Sequence, residues 1–120
     1  MMKKRVLVVD DEKEITDFLE RFLNRFDITV VKASEGMQAF DFYNKHNPDC
    51  VFLDIQMPGK DGMTVLKELR AIDSASKIIM ITGRDDKEFQ EKAKQLGAID
   101  YITKPLDLGE LSSKIEKYIL

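Results

Sequence analysis

Acidic residues follow directly on two apolar stretches of this chain, in places where the folded protein would have to bury charge. The run CVFL (50–53) leads straight into Asp54, and the run VLVV (6–9) leads into Asp10 and Asp11. Burying a carboxylate is costly unless it is paired. Carboxylates that converge also repel one another, and a hard divalent cation such as Mg²⁺ relieves that repulsion through oxygen ligands alone. These acids therefore indicate a metal site at the ends of buried strands.

Two further strand-like runs end in residues that can hold a phosphate. The run IIMI (78–81) is followed by Thr82 and Gly83, and the run IDYIT (99–103) is followed by Lys104. A lysine contacts a phosphoryl oxygen as a point charge, a threonine hydroxyl donates a hydrogen bond, and a glycine lets a backbone N–H approach closely. A carboxylate beside such groups is a candidate nucleophile that becomes an aspartyl phosphate.

The elements that must position these residues can be read from the hydrophobic pattern. Five short β-branched runs alternate with five segments in which apolar residues recur with a helical period. The predicted strands cover residues 5–10, 28–32, 50–54, 77–82 and 99–104, and the predicted helices cover residues 12–25, 36–46, 62–71, 86–96 and 108–119. This alternation predicts an α/β fold with a parallel sheet covered on both faces. Ligands bind beyond the carboxyl ends of the strands in such sheets, so we expect the residues above to converge there.

The hydrophobic pattern also distinguishes central strands from edge strands. The uninterrupted apolar runs of the first, third and fourth strands are typical of central strands. Thr29 and Lys32 indicate that the second strand lies at an edge. Gly97, placed between the fourth helix and the fifth strand, fits a helix C-cap.

Composition and charge exclude several function classes. The net charge is −3 and no basic patch is present, which argues against direct binding to nucleic acid. Cys50, the one cysteine, can form neither an internal disulfide nor a zinc site. No segment is apolar for long enough to span a membrane, and the apolar part of the N-terminus is too short for a signal peptide. We expect a single cytoplasmic domain over residues 1–120 that binds neither membrane nor nucleic acid.

Four segments together resemble the receiver domain of two-component response regulators. They are VLVVDDE, VFLDIQMPGKDG, IIMITG and DYITKP, and the resemblance covers essentially the whole chain. It implies a flavodoxin-like, doubly wound, five-stranded parallel sheet of order 2-1-3-4-5 with five helices. It also implies a cis peptide bond between Lys104 and Pro105.

The resemblance assigns a role to each candidate residue. Asp54 would be the phosphoacceptor, with Lys104 and Thr82 in contact with the phosphoryl group. The protein ligands of Mg²⁺ would be Asp10, Asp11, Asp54 and the backbone carbonyl of Gln56. Thr82 and Tyr101 would form the switch, and the backbone N–H of Gly83 would add a phosphoryl contact.

A signalling switch is the function that this set implies. A sensor histidine kinase or a phosphotransfer protein would pass a phosphoryl group to Asp54, and the modified form would change its surface around the fourth helix and fifth strand for an unknown effector. The protein would assist its own phosphorylation and slow dephosphorylation without being an enzyme in the usual sense. The fifth helix lacks the arginine that DNA-binding relatives use for pairing.

Other interpretations fit the residues less well. A haloacid-dehalogenase-like phosphatase needs a second aspartate two residues after the nucleophile, where this chain has Gln56. A flavodoxin-like flavin carrier needs a neutral phosphate loop after the first strand, where this chain has DDEKE (10–14). A degenerate receiver used only for docking does not need an intact set of aspartate, threonine and lysine. Asp10 and Asp11 could also cap the first helix.

Overall fold

The computed structural model describes residues 3–83 and 87–120. Five strands alternate with five helices: β1 Arg5–Val9, α1 Lys13–Asn24, β2 Thr29–Ala33, α2 Gly36–His46, β3 Cys50–Asp54, α3 Gly62–Ile72, β4 Ile78–Thr82, α4 Lys87–Gln95, β5 Asp100–Thr103 and α5 Leu108–Tyr118. The predicted elements are confirmed, and no boundary differs from its prediction by more than one residue. The start predicted for the fourth helix, residue 86, lies outside the described residues.

The five strands form one parallel sheet in the order β2-β1-β3-β4-β5, which confirms the flavodoxin-like arrangement. The register aligns the carboxyl ends of the strands. Val9 pairs with Leu53, Asp54 pairs with Ile81, and Thr82 pairs with Thr103. The residues that follow β1, β3, β4 and β5 therefore emerge at the same edge of the sheet.

The sheet separates the core into two layers, because successive side chains of a strand point to opposite faces. In β1, Leu7 and Val9 belong to one layer, and Val6 and Val8 belong to the other. Helices α2, α3 and α4 cover the first layer, and α1 and α5 cover the second. Strands β3 and β4 are buried along their whole length, whereas β2 is an edge strand with exposed residues, as predicted.

Helix ends show where the sequence sets the element boundaries. Asp61 and Asp107 cap α3 and α5 by accepting a hydrogen bond from the backbone N–H three residues later, the usual role of an N-cap aspartate. Gly97 has φ +106°, and the Ala98 N–H donates to the Ala93 carbonyl oxygen across the end of α4. This is a Schellman-type C-cap, which confirms the role predicted for Gly97.

In the described parts of the chain, none of the helices has both the length and the apolar character needed to cross a bilayer.

Candidate functional site

Four carboxylates meet at the carboxyl edge of the sheet. Asp10, Asp11 and Glu12 follow β1 and Asp54 ends β3, and one oxygen from each lies within 4.8 Å of the others. Asp10 and Asp54 are almost wholly buried, at 1% and 3% exposure, while Asp11 and Glu12 are exposed. We call this group the acidic cluster. The convergence predicted from the strand order is therefore present in the fold.

Asp54 is held at the end of a buried strand with few partners for its charge. Its Oδ1 accepts the backbone N–H of Gln56 at 3.2 Å, and its Oδ2 lies 3.5 Å from Lys104 Nζ. Burial raises the pKa of the Asp54 carboxyl to about 7, and the negative charges of Asp10 and Asp11 add to the rise. Lys104 and the Gln56 N–H oppose it only in part. The surroundings of Asp54 therefore disfavour its negative charge, which a bound cation would offset.

Asp10 has one oxygen well satisfied and one oxygen that is not. Its Oδ1 accepts the Glu12 backbone N–H at 2.9 Å. Its Oδ2 is buried and lies 3.2 Å from Lys104 Nζ, but it makes no well-oriented hydrogen bond with any described residue. Burial, more than any other cause, raises the pKa of Asp10 above its ordinary value. The N-cap position of α1 is Glu12, and neither Asp10 nor Asp11 occupies it.

Lys104 brings the compensating positive charge from the far end of the chain. Its backbone N–H donates to the Thr82 carbonyl oxygen at 2.7 Å, and its side chain reaches over the acidic cluster. Burial alone would lower the pKa of Lys104, but the hydrogen bond to Glu12 and the charges of Asp10 and Asp54 raise it to about 12. The bond from Lys104 to Pro105 is cis, as the resemblance implied.

The donor set of the acidic cluster fits a hard divalent cation. All its donors are carboxylate oxygens, which suit Mg²⁺ far better than a soft transition metal. Among residues 3–83 and 87–120, the cluster has four acids, and Lys104 is the cation that pairs with three of them, Asp10, Glu12 and Asp54. The Oδ2 of Asp10 is a buried oxygen for which the described residues offer no well-placed hydrogen-bond donor.

The other predicted residues lie near this edge but in different surroundings. Thr82 ends β4 and is buried at 3% exposure, and Gly83 follows it at the surface. Tyr101 lies on β5 and is half-buried against the core layer under α4, with Lys94 Nζ 5.8 Å from its ring centre. Gln56 is exposed in the loop between β3 and α3.

Two glycines allow this loop to close tightly over the end of β3. A Cβ on Gly62 would collide with the carbonyl oxygen of Asp54 and would lie 2.7 Å from Ile55 Cα. A Cβ on Gly36 would lie 2.5 Å from the carbonyl oxygen of Lys60. Real Cβ atoms do not approach backbone so closely, so both positions require glycine. Gly62 also donates its N–H to the Ile55 carbonyl oxygen at 2.9 Å, which ties α3 to the strand end.

One residue of the site has no role in the sequence prediction. Glu12 belongs to the acidic cluster and makes the shortest contact of Lys104, with 2.6 Å between Oε1 and Nζ. The one feature of the sequence that could have indicated a role for Glu12 in the site is its position directly after Asp10 and Asp11. Nothing local to the sequence indicated that its side chain would meet a lysine 92 residues away.

Comparison with known proteins identifies the family. The sequence model described as "Response regulator receiver domain" matches residues 6–116. This chain belongs to the response regulator receiver domain family. Sporulation initiation phosphotransferase F of Bacillus subtilis (strain 168) is 34% identical over 119 residues, which cover 99% of this chain and 96% of that protein.

Solved receiver structures share the fold closely. The BeF3-activated N-terminal receiver domain of Klebsiella pneumoniae RstA has a TM-score of 0.90 and 30% identity, covering 96% of this chain and 97% of that one. A chain from the CheX-CheY-BeF3-Mg complex of Borrelia burgdorferi has a TM-score of 0.91 and 27% identity. The match covers 98% of this chain and 90% of that one. The protein is therefore a phosphorelay receiver. Receivers accept phosphoryl groups and are not enzymes in the usual sense.

Proposed function

We propose that Asp54 is the phosphoacceptor of this receiver and that the chain acts as a single switch domain. The observation that carries the proposal is the meeting of Asp54 with two further aspartates and Lys104 at one edge of the sheet. Asp54 is the member of the acidic cluster that belongs to a strand, β3, which is hydrogen-bonded to β1 on one side and β4 on the other. A nucleophile needs such a fixed position more than an exposed ligand does.

The transfer step follows from the chemistry of a carboxylate. An Asp54 oxygen forms a bond to phosphorus while the bond from phosphorus to the donor's imidazole nitrogen breaks, and the imidazole leaves with the electron pair. The donor is a phosphohistidine of a sensor kinase or of a phosphotransfer protein. Lys104 and the Thr82 hydroxyl stabilise the charge on the phosphoryl oxygens, and the Gly83 N–H adds a hydrogen bond.

Mg²⁺ is the cofactor that the acidic cluster fits best. Asp10, Asp11, Asp54 and the backbone carbonyl of Gln56 would hold it, and it would supply positive charge against the phosphoryl oxygens. The similar Borrelia structure is a complex that contains both BeF3 and Mg²⁺, and this supports the assignment. Thr82 and Tyr101 then carry the switch towards the surface of α4 and β5, where an effector binds.

The position of Gln56 argues against a phosphatase. A hydrolase that works through an aspartyl phosphate needs a general acid beside the nucleophile, and an amide cannot supply that proton. In this proposal the receiver assists its own phosphorylation and its own slow dephosphorylation without acting as a phosphatase.

Phosphorylation by acetyl phosphate tests the assignment of Asp54. Wild-type protein incubated with acetyl phosphate and Mg²⁺ should gain one phosphoryl group by intact-mass analysis, and Asp54→Asn should gain none, because an amide is not a nucleophile towards phosphorus. Asp41→Asn is the matched control, since Asp41 is an exposed carboxylate on α2. Removal of Mg²⁺ with EDTA should abolish the modification of the wild type.

Equal incorporation into wild type and Asp54→Asn would place the phosphoryl group elsewhere and refute the assignment. Incorporation that persists in EDTA would refute the role of the metal.

A further inference from the structure

Glu12 holds the same ammonium group that the proposed transfer needs. Lys104 Nζ lies 2.6 Å from Glu12 Oε1, 3.2 Å from Asp10 Oδ2 and 3.5 Å from Asp54 Oδ2. Charge-assisted N–H···O hydrogen bonds are shortest and strongest near 2.7–2.9 Å. The strongest contact of Lys104 is thus with a residue at the rim of the site, while its distance to Asp54 exceeds that of a good hydrogen bond.

The backbone of Glu12 is fixed, and within the described part of the chain its side chain is paired with Lys104 alone. Its N–H donates to Asp10 Oδ1, and its carbonyl oxygen accepts from Ile15 at 3.0 Å and Thr16 at 3.2 Å at the start of α1. The side chain makes no cap hydrogen bond to α1 and is 57% exposed. Replacing its carboxylate would therefore disturb the pair with Lys104 and leave the helix start intact.

We propose that Glu12 is a positioning residue that holds Lys104 in the unphosphorylated receiver and thereby slows phosphoryl transfer to Asp54. The proposal rests on the assigned roles of Asp54 and Lys104. As the Asp54 oxygen bonds to phosphorus and the leaving group departs with its electron pair, Lys104 must turn towards the phosphoryl oxygens and lengthen its contact with Glu12. A contact that is stronger in the ground state than in the transition state raises the barrier.

The rate of phosphorylation by acetyl phosphate measures this effect. Glu12→Gln keeps the size of the side chain but removes its charge. At saturating Mg²⁺ it should raise the maximal rate about two- to five-fold, the range expected for a partly exposed ion pair. Glu12→Asp keeps the charge and should stay closer to wild type. Glu14→Gln, which removes an exposed charge from the same helix turn, should leave the rate unchanged.

The Mg²⁺ dependence distinguishes positioning from metal binding, because Glu12 also belongs to the acidic cluster. If Glu12 acts through Lys104, Glu12→Gln raises the maximal rate and leaves the half-saturating Mg²⁺ concentration within about two-fold of wild type. A higher half-saturating concentration with an unchanged or lower maximal rate would make Glu12 a metal ligand and overturn the proposal.

A double-mutant cycle of Glu12→Gln and Lys104→Ala provides a readout without metal or phosphate. Urea unfolding in EDTA of the two single variants, the double variant and wild type should show that the effects of the two changes are not additive. Additive effects would mean that the two side chains do not interact in solution, which also overturns the proposal.

The outcomes separate this inference from the proposed function. If wild type and Glu12→Gln both fail to be modified at Asp54, the proposed function has failed. If wild type is modified at Asp54 and Glu12→Gln is no faster than Glu14→Gln, the phosphoacceptor assignment stands and the role of Glu12 is wrong.

Discussion

At the scale of single residues, the main chain positions Asp54 as much as side-chain contacts do. Among the described residues, its side chain accepts a hydrogen bond from the Gln56 N–H and makes a long ion pair with Lys104. Its carbonyl group, by contrast, lies directly under the first residue of α3, at a distance that only glycine permits. Gly62 therefore determines how closely α3 approaches the end of β3, and so where the carboxylate stands.

Replacing Gly62 by alanine should destabilise the protein. The added Cβ would collide with the Asp54 carbonyl oxygen, so the strand end or the helix must move. The free energy of unfolding should fall by about 1–3 kcal/mol, as for other overpacked sites, and urea titration measures it.

Gly109→Ala is the matched control for Gly62→Ala. Gly109 lies in the first turn of α5, where a Cβ would lie 3.2 Å from the Asp107 carboxylate, a side-chain contact and not a backbone collision. The free energy of unfolding of Gly109→Ala should stay within about 1 kcal/mol of wild type, because alanine favours a helix more than glycine does. If Gly62→Ala were as stable as this control, the close approach of α3 to β3 would not be obligatory.

At the scale of elements, α5 is attached to β5 through a partly buried carboxylate, Asp100. Asp100 Oδ2 accepts hydrogen bonds from Lys114 Nζ at 2.7 Å and Tyr118 Oη at 2.8 Å, while Oδ1 accepts the Tyr101 N–H. Burial would raise the pKa of Asp100, but these three hydrogen bonds outweigh it and hold the pKa below its ordinary value. The strand that carries Tyr101 and leads to Lys104 is thus anchored to its covering helix.

Asp100→Asn should weaken this attachment and change how stability depends on pH. A carboxyl whose pKa is lower in the folded state contributes stability above its unfolded pKa of about 3.9 and loses it as pH falls through the folded value. At pH 7 the variant should lose about 1–3 kcal/mol of unfolding free energy, as expected for hydrogen bonds to a charged group.

Urea titrations at neutral pH and near pH 3 test the contribution of Asp100. The difference between variant and wild type should shrink at the acid end, because the wild-type carboxyl is losing its charge there. Asp41→Asn, which changes an exposed carboxylate on α2, should follow wild type at both values. A difference that does not change with pH would show that the charge of Asp100 is not what stabilises the attachment.

At the scale of the whole molecule, the acidic cluster destabilises the folded protein, and the rest of the fold must compensate for it. Within the part of the chain that the structure describes, four carboxylates converge and Lys104 pairs with three of them. Asp54 is buried and its pKa is raised. The two hydrophobic core layers on either side of the sheet supply the stability that keeps these carboxylates close together. A cation that binds only the folded state stabilises it by mass action.

Mg²⁺ should therefore raise the melting temperature of the wild type, and less so that of Asp54→Asn. In EDTA, Asp54→Asn should be more stable than wild type by about 1–3 kcal/mol, because it removes a poorly paired buried charge. At Mg²⁺ concentrations near 100 times the dissociation constant, the wild type should gain about 2.7 kcal/mol. Thermal melts with and without Mg²⁺ measure both effects, with Asp41→Asn as the control. A wild-type melt that millimolar Mg²⁺ leaves unchanged would contradict the proposed metal site.

The sequence predicted much of this arrangement because strand alternation and strand ends are local signals. The apolar runs before Asp10 and Asp54 marked central strands, and the parallel topology requires their ends to meet. The strand order itself came from family resemblance, since the hydrophobic pattern does not specify which strands are neighbours.

What the sequence could not predict depends on distances between remote side chains. The pair of Glu12 and Lys104 needs the register of β1 and β5 across the sheet. The hydrogen bond from Tyr43 Oη to Asp73 at 2.7 Å joins α2 to the end of α3 in the same way. The requirement for glycine at positions 36 and 62 is likewise a property of packing between elements.

The order in which the site residues occur along the chain has a consequence for protein synthesis. All four acids of the cluster lie in the first half of the chain, and Lys104 directly follows the last of the five strands. A nascent chain exposes the acids first, since synthesis runs from the N-terminus, and it has no ammonium to balance them until β5 has left the ribosome. We therefore expect that the incomplete polypeptide cannot accept a phosphoryl group. Only the chain that already includes Lys104 would then compete for the phosphoryl donor.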